Sequence, residues 1–118
     1  MESTNIRNKS RTREKILSSA TEAFAEAGYH ATSMDDIVRL SGTSKGAIYF
    51  HFPGKEALFC SLIHRLADIV EFSAINAMAN SKGAVNRVDA VLHSLFSLIT
   101  EHRELAKAVI VGGAGLGP

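Results

Sequence analysis

The sequence predicts an all-α fold: a three-helix unit at the N-terminus, then a long connecting helix and part of a second helical domain. Three observations predict it. Apolar residues recur every three or four positions through most of the 118 residues, and no stretch alternates in the manner of a half-buried strand. The chain has only two prolines, and most of its nine glycines fall between the periodic stretches rather than inside them. Serines stand just before the second and third stretches, where a helix N-terminus needs a side-chain acceptor for its free amides. Hydrophobic residues make up 46% of the chain, enough for a packed core.

Residues 1–10 read as a flexible basic arm. Between Met1 and Lys15 stand Arg7, Lys9, Arg11, Arg13 and Lys15, opposed only by Glu2 and Glu14. The formal net charge of the whole chain is just +1, so the positive charge is local, as in an arm that follows a phosphate backbone. A first helix is expected to begin near Ser10 or Thr12, with Ile16, Leu17, Ala20, Ala23, Phe24 and Ala27 on one stripe. Gly28 ends it, and Tyr29, His30, Ala31 and Thr32 form the connection.

Ser33 caps a second short helix whose first turn carries Asp35 and Asp36, favourable to the helix dipole. Ile37, Val38 and Leu40 supply its buried side before Ser41 and Gly42 end it. Thr43 and Ser44 lead directly into a third helix, and Pro53-Gly54 stops that one. Two short helices joined by a tight glycine-containing turn are the helix-turn-helix pattern. Residues 11–54 are therefore expected to form one unit.

Lys55 to about Asn80 makes a much longer helix, about 25 residues and nearly 40 Å at 1.5 Å per residue. Leu58, Leu62, Leu66, Ile69, Val70 and Ser73 hold its stripe, broadened by Phe59, Ile63 and Phe72. Such a length exceeds the needs of a three-helix unit, so this helix is expected to join two domains. A break at residues 80–83 precedes a fifth helix, about Ala84 to Thr100, with Val85, Val88, Leu92, Leu95, Phe96 and Ile99. A sixth is expected from about Arg103 to Val111, followed by a glycine-rich loop over residues 112–118. The two later helices carry more apolar surface than this chain can cover, which suits a fragment of a longer protein or helices that meet in an oligomer.

The third helix carries the chemistry. At about 100° per residue, Ile48 and Phe52 share the inward face, while Gly46 and Phe50 point outward. Lys45 and Tyr49 flank them on one side, Ala47 and His51 on the other. An outward Phe among Gly, Lys, Tyr and His suits a helix laid against a flat, polar, anionic surface, and DNA is the leading candidate. Taken singly, Tyr49 also fits a half-buried core aromatic, His51 a surface histidine, and Lys45 and Lys55 solvated charges. Their grouping on one helix and the start of the next favours the interface.

Other functional classes find little support. A single cysteine excludes an internal disulfide framework and fits a reducing cytoplasm; beside Phe59 and Leu62, Cys60 reads as a small buried residue. No apolar run is long enough to cross a bilayer, and the polar N-terminus lacks the apolar middle of a signal peptide, so a soluble cytoplasmic protein is expected. His64, His93 and His102 lack metal-ligand spacing and cysteine partners, so neither a metal nor a cofactor is predicted. There is no nucleophile motif and no glycine-rich phosphate loop between strand and helix, and no enzyme is predicted. The competing expectation is a helical protein-interaction module that binds no nucleic acid.

Phe24, Gly28-Tyr29, Thr32-Ser33, Ile37, Gly42, Ser44-Lys45-Gly46, Ile48-Tyr49, His51-Phe52, Lys55 and Leu58, in this order and spacing, resemble the DNA-binding domain of the tetracycline-repressor (TetR) family. The resemblance covers roughly residues 10–62. It implies a transcriptional regulator, a repressor released from a palindromic double-stranded DNA operator by a small effector, and a homodimer in the full-length protein. Residues 55–118 would then be the connecting helix and part of an effector-binding and dimerisation domain.

Matching positions place the third helix in the major groove. Lys45 is then expected at phosphate or base edges, and Gly46 at a close backbone approach. Ala47 and Phe50 meet thymine methyls, while Tyr49 and His51 reach phosphate oxygens. Thr43 and Ser44 stand at the entry to that helix, and Lys55 adds a charged contact beside the free amides of the fourth helix. Thr32 and Ser33 face phosphate at the second helix start, where Ser33 also caps. One position departs from the pattern: Asp35 stands where the family often has a basic residue, so a phosphate contact is not expected there. The implied effector is apolar or amphipathic and binds among the helices beyond about residue 65; His93 and Phe96 are candidate lining residues.

Overall fold

The computed structural model describes residues 2–114, with side chains from Ile6 onward. Among the described residues every regular element is helical: α1 Glu2–Ala27, α2 Met34–Ser41, α3 Lys45–His51, α4 Lys55–Ala79, α5 Ala84–Glu101 and α6 Arg103–Ala106. A π-helical segment, Lys107–Val111, continues directly from α6.

α1, α2 and α3 enclose the first part of the core. Ile16, Leu17, Ala20 and Phe24 of α1 meet Ile37 of α2, and Ile48 and Phe52 at the inner side of α3. Leu58, Phe59 and Leu62 from the start of α4 close it. Phe24 packs edge-on to Phe59, with ring centres 5.2 Å apart, and stacks on Tyr29 at 5.8 Å. Each such fully buried side chain contributes about 1.5–3 kcal/mol relative to an exposed one, so this cluster dominates the stability of the unit. α5 folds back along α4, and α6 with the π-helical segment returns to α1, where Leu105 and Ala108 join the same core.

The connections follow from local chemistry. Gly28 ends α1 at φ 85°, and its amide bonds the Phe24 carbonyl at 2.9 Å. Gly42 closes α2 at φ 67°, a left-handed conformation that glycine adopts without the Cβ clash other residues meet. The caps expected at Ser33 and Ser44 are both formed.

Several expectations need correction. α1 begins at Glu2 rather than near Ser10 or Thr12, so the stretch read as a flexible arm is helical where described. Nothing between Glu2 and Arg11 breaks a helix, and the Thr12 hydroxyl bonds back to the Asn8 carbonyl at 2.9 Å. Cys60 is exposed, not buried: it lies two residues before Leu62, about 160° away round α4. The sixth helix is divided, with four α-helical residues followed by the π-helical turn. Phe72 and Ile63, expected to broaden the buried stripe of α4, are exposed. Of the predicted terminal loop, Gly112 to Ala114 form a turn, and residues 115–118 lie outside the described residues.

The expected surplus of apolar surface is present. Val85, Val88, Leu92, Phe96 and Ile99 form an exposed row on α5, with Val85 82% and Phe96 78% accessible. Among the described residues, no helix is long and apolar enough to cross a membrane.

Candidate nucleic-acid interface

The interface is built on the pair α2–α3. At the start of α2 the Ser33 amide donates to Asp36 Oδ2 at 2.9 Å, and the Asp36 amide donates to Ser33 Oγ at 3.1 Å. This reciprocal capping satisfies two free donors and fixes the entry of the chain into the helix. The Ser33 amide, then the Ser33 hydroxyl and the Arg39 guanidinium, hold the Asp36 carboxyl below the usual carboxylate range. Asp36 is thus a structural acid, while Asp35 Oδ1 reaches forward to Lys45 Nζ at 3.4 Å.

The turn is braced from within. Ser41 Oγ donates to the Val38 carbonyl at 3.1 Å, so the 2.6 Å bond between Ser41 Oγ and Thr43 Oγ1 has Thr43 as donor. Thr43 is thereby held at the turn with only acceptor capacity left on its hydroxyl. Ser44 Oγ accepts from the Ala47 amide at 3.1 Å and opens α3. Ile48 and Phe52 are buried, and that burial sets the rotation of α3. Lys45, Gly46, Tyr49 and Phe50 are consequently exposed, Phe50 by 68%, with Ala47 and His51 half-buried at the flanks.

α4 starts beside this surface. Gly54 has no side chain to cap it, so the first amides of α4 have no side-chain acceptor. Lys55 Nζ donates to the Tyr29 carbonyl at 2.9 Å and lies 4.3 Å from the centre of the Tyr29 ring. An ammonium has three donors, and this contact leaves two.

Lys45, Gly46, Ala47, Tyr49, Phe50 and His51 therefore share one short helix capped by Ser44, with Lys55 and Ser33 at neighbouring helix starts. Thr32 is placed differently. It is 2% exposed, and its hydroxyl lies 2.7 Å from the Gly28 carbonyl and 3.3 Å from that of Ala23. Its side chain holds the α1–α2 connection and does not face outward. His93 and Phe96 stand on the exposed side of α5, with His93 Nδ1 2.9 Å from the Asp89 carbonyl, and among the described residues no enclosing wall faces them.

Two residues of the basic stretch, expected in a flexible arm, lie instead on α1 against aromatic rings. Lys9 Nζ lies 5.5 Å from the centre of the Phe50 ring, and Arg13 Cζ lies 4.7 Å from that of Phe52. The helical spacing 9, 13, 16, 20 was readable in the sequence once the first ten residues are taken as helix rather than arm.

Residues 16–62 match the family model described as bacterial regulatory proteins, tetR family. Over these residues the chain is similar to the TetR family. It is 34% identical over 84 residues to the HTH-type transcriptional regulator LmrA of Bacillus subtilis, covering 70% of this chain and 45% of that protein. To the HTH-type transcriptional regulator QacR of Staphylococcus aureus it is 36% identical over 90 residues, covering 76% and 47%. The fold of a gamma-butyrolactone receptor, an ArpA-like protein, superimposes with a TM-score of 0.80 over 93% of this chain and 57% of that one, at 24% identity. The chain spans about half the length of the curated relatives it matches.

Proposed function

We propose that this chain is a TetR-family protein and the operator-reading part of a DNA-binding transcriptional regulator. It acts in the cytoplasm as a repressor and binds a palindromic duplex as a homodimer of the full-length protein. The observation that carries this is the division of α3. Ile48 and Phe52 are buried, while Lys45, Gly46, Tyr49 and Phe50 face solvent beside the uncapped start of α4. A helix so mounted enters a major groove with its small residue at the closest approach, apolar groups for thymine methyls, and polar groups for phosphate. The relatives LmrA and QacR, both named as HTH-type transcriptional regulators, support the same reading.

Control would come through α4, which begins at Lys55 beside the reading helix and runs to Ala79 in the helical region beyond. An apolar or amphipathic effector bound there, and preferring one tilt of α4, would change the spacing of two reading helices that must meet half-sites about one DNA turn apart. Only a ligand with different affinity for the two arrangements shifts the balance.

The test is selection of bound duplexes from random DNA, followed by binding to the selected site at increasing salt. A selected palindrome whose affinity falls linearly on a log–log salt plot supports the function. Absence of any salt-dependent duplex binding would leave the helical interaction module as the better reading, with the apolar row of α5 as its contact face.

A further inference from the structure

We propose that Glu14 and Arg65 are positioning residues that set operator spacing: their ion pair fixes the angle at which α4 leaves the α1–α3 unit, and with it the separation of half-sites that the homodimer accepts. The inference rests on α3 being the DNA-reading helix of such a dimer.

Glu14 and Arg65 stand 51 residues apart in sequence and meet through two bonds. Arg65 Nη2 donates to Glu14 Oε1 at 2.7 Å, and Arg65 Nη1 donates to Glu14 Oε2 at 3.0 Å. A planar fork on a carboxylate specifies a direction of approach as well as a contact. The ion pairs of Arg39 with Asp36 and of Lys45 with Asp35 stay within α2 and α3. Glu14–Arg65 instead ties the first helix of the reading unit to α4.

A rod held at one point can pivot, and a second tie stops it. The first tie on α4 is Lys55, whose ammonium bonds the Tyr29 carbonyl. Arg65 follows ten residues later, about 15 Å along the helix. Leu58, Phe59 and Leu62 pack into the core between the two ties. Apolar burial of that kind is non-directional, so it holds α4 against the core without choosing a precise angle. Beyond Arg65, Leu66 and Ile69 are only partly buried, and Phe72, Ile75 and Met78 are exposed. Arg65 thus grips α4 where the helix leaves the core, and about 21 Å of it runs on to Ala79. A small rotation at this point is magnified along that length. Two copies of α3 must meet half-sites about one DNA turn apart, so the angle is read out as spacing. Both side chains of the pair remain partly exposed, so it contributes orientation more than stability.

The experiment uses the full-length protein and duplexes that carry its selected half-sites, at the selected separation or with single base pairs added or removed between them. The unsubstituted protein is expected to bind the selected separation best. Glu14→Gln and Arg65→Gln are each expected to reduce that preference about fivefold, with the bases selected within each half-site unchanged. The double variant is expected to show no further reduction, because either substitution alone breaks the pair. Arg65→Lys keeps the charge without the fork and is expected to recover only part of the preference. Denaturant midpoints establish that each variant is folded under the conditions of the assay. An unaltered spacing preference in both single variants, or affinity lost equally at every separation, would overturn this inference and leave the reading function standing. Failure of the unsubstituted protein to bind duplex DNA would overturn the reading function, and this inference with it.

Discussion

Lys55 and Tyr29 are joined twice: the ammonium donates to the Tyr29 carbonyl at 2.9 Å and sits 4.3 Å from the centre of the Tyr29 ring. The Tyr29 amide in turn donates to the Gly112 carbonyl at 2.9 Å. One loop residue thus connects the end of α1, the first turn of α4 and the close of the π-helical segment. Lys55→Ala is expected to weaken binding to all duplexes and to reduce the salt slope by about one, through loss of a phosphate contact. It should also lower stability by about 1 kcal/mol, through loss of the Tyr29 contacts. Parallel salt titration and denaturant unfolding check both, and an unchanged salt slope would confine Lys55 to the structural role.

Tyr49 and Phe50 are adjacent and exposed on α3 but are expected to behave differently. Tyr49→Phe removes the hydroxyl proposed to reach phosphate and should reduce affinity a few-fold at every sequence. Phe50→Ala should also change which bases are selected, because apolar contact with thymine methyls carries sequence information. Repeating the selection from random DNA with each variant checks the distinction. An unaltered selected site for Phe50→Ala would remove Phe50 from base reading.

The return of the last helical segment to α1 depends on Gly112. A Cβ added there would lie 2.7 Å from the Phe24 carbonyl oxygen, a backbone atom with no freedom to move aside. Gly112→Ala is therefore expected to destabilise the protein by about 2 kcal/mol. Gly54→Ala serves as the control, since an added Cβ there meets nothing within 4 Å. Equal denaturation midpoints for the two variants would contradict the close packing at Gly112.

Acid should weaken the fold through two carboxylates. Glu14 is held below the usual range mainly by its hydrogen bond from Arg65, and Asp36 mainly by the Ser33 amide. Both bind protons less readily folded than unfolded. Their contribution is complete above the ordinary carboxylate range and is lost as pH falls below about 4, through the lowered folded values. Denaturant midpoints followed from neutral pH to about pH 3 should fall less steeply for Glu14→Gln than for the unsubstituted chain. Superimposable profiles would mean that the Glu14–Arg65 link contributes nothing to acid sensitivity.

The sequence by itself determined what depends on neighbours within about one helical turn. Ser33 and Ser44 cap because their hydroxyls reach an amide three residues on, and Gly42 turns the chain because it lacks a Cβ. The 3.6-residue period decides that Ile48 and Phe52 turn inward and Phe50 outward. Those facts suffice for the helix-turn-helix and for the division of α3 into a buried and an exposed face. Tertiary structure alone decided the rest, because the deciding contacts join residues far apart in sequence. Thr32 turns its hydroxyl inward because the end of α1 offers the Gly28 and Ala23 carbonyls, and Lys55 finds its acceptor 26 residues earlier at Tyr29. Glu14 meets Arg65 across 51 residues, a pairing that no local pattern announces. A basic N-terminal stretch has one composition whether it is an arm or a helix. Only packing sets Lys9 against Phe50 and Arg13 against Phe52.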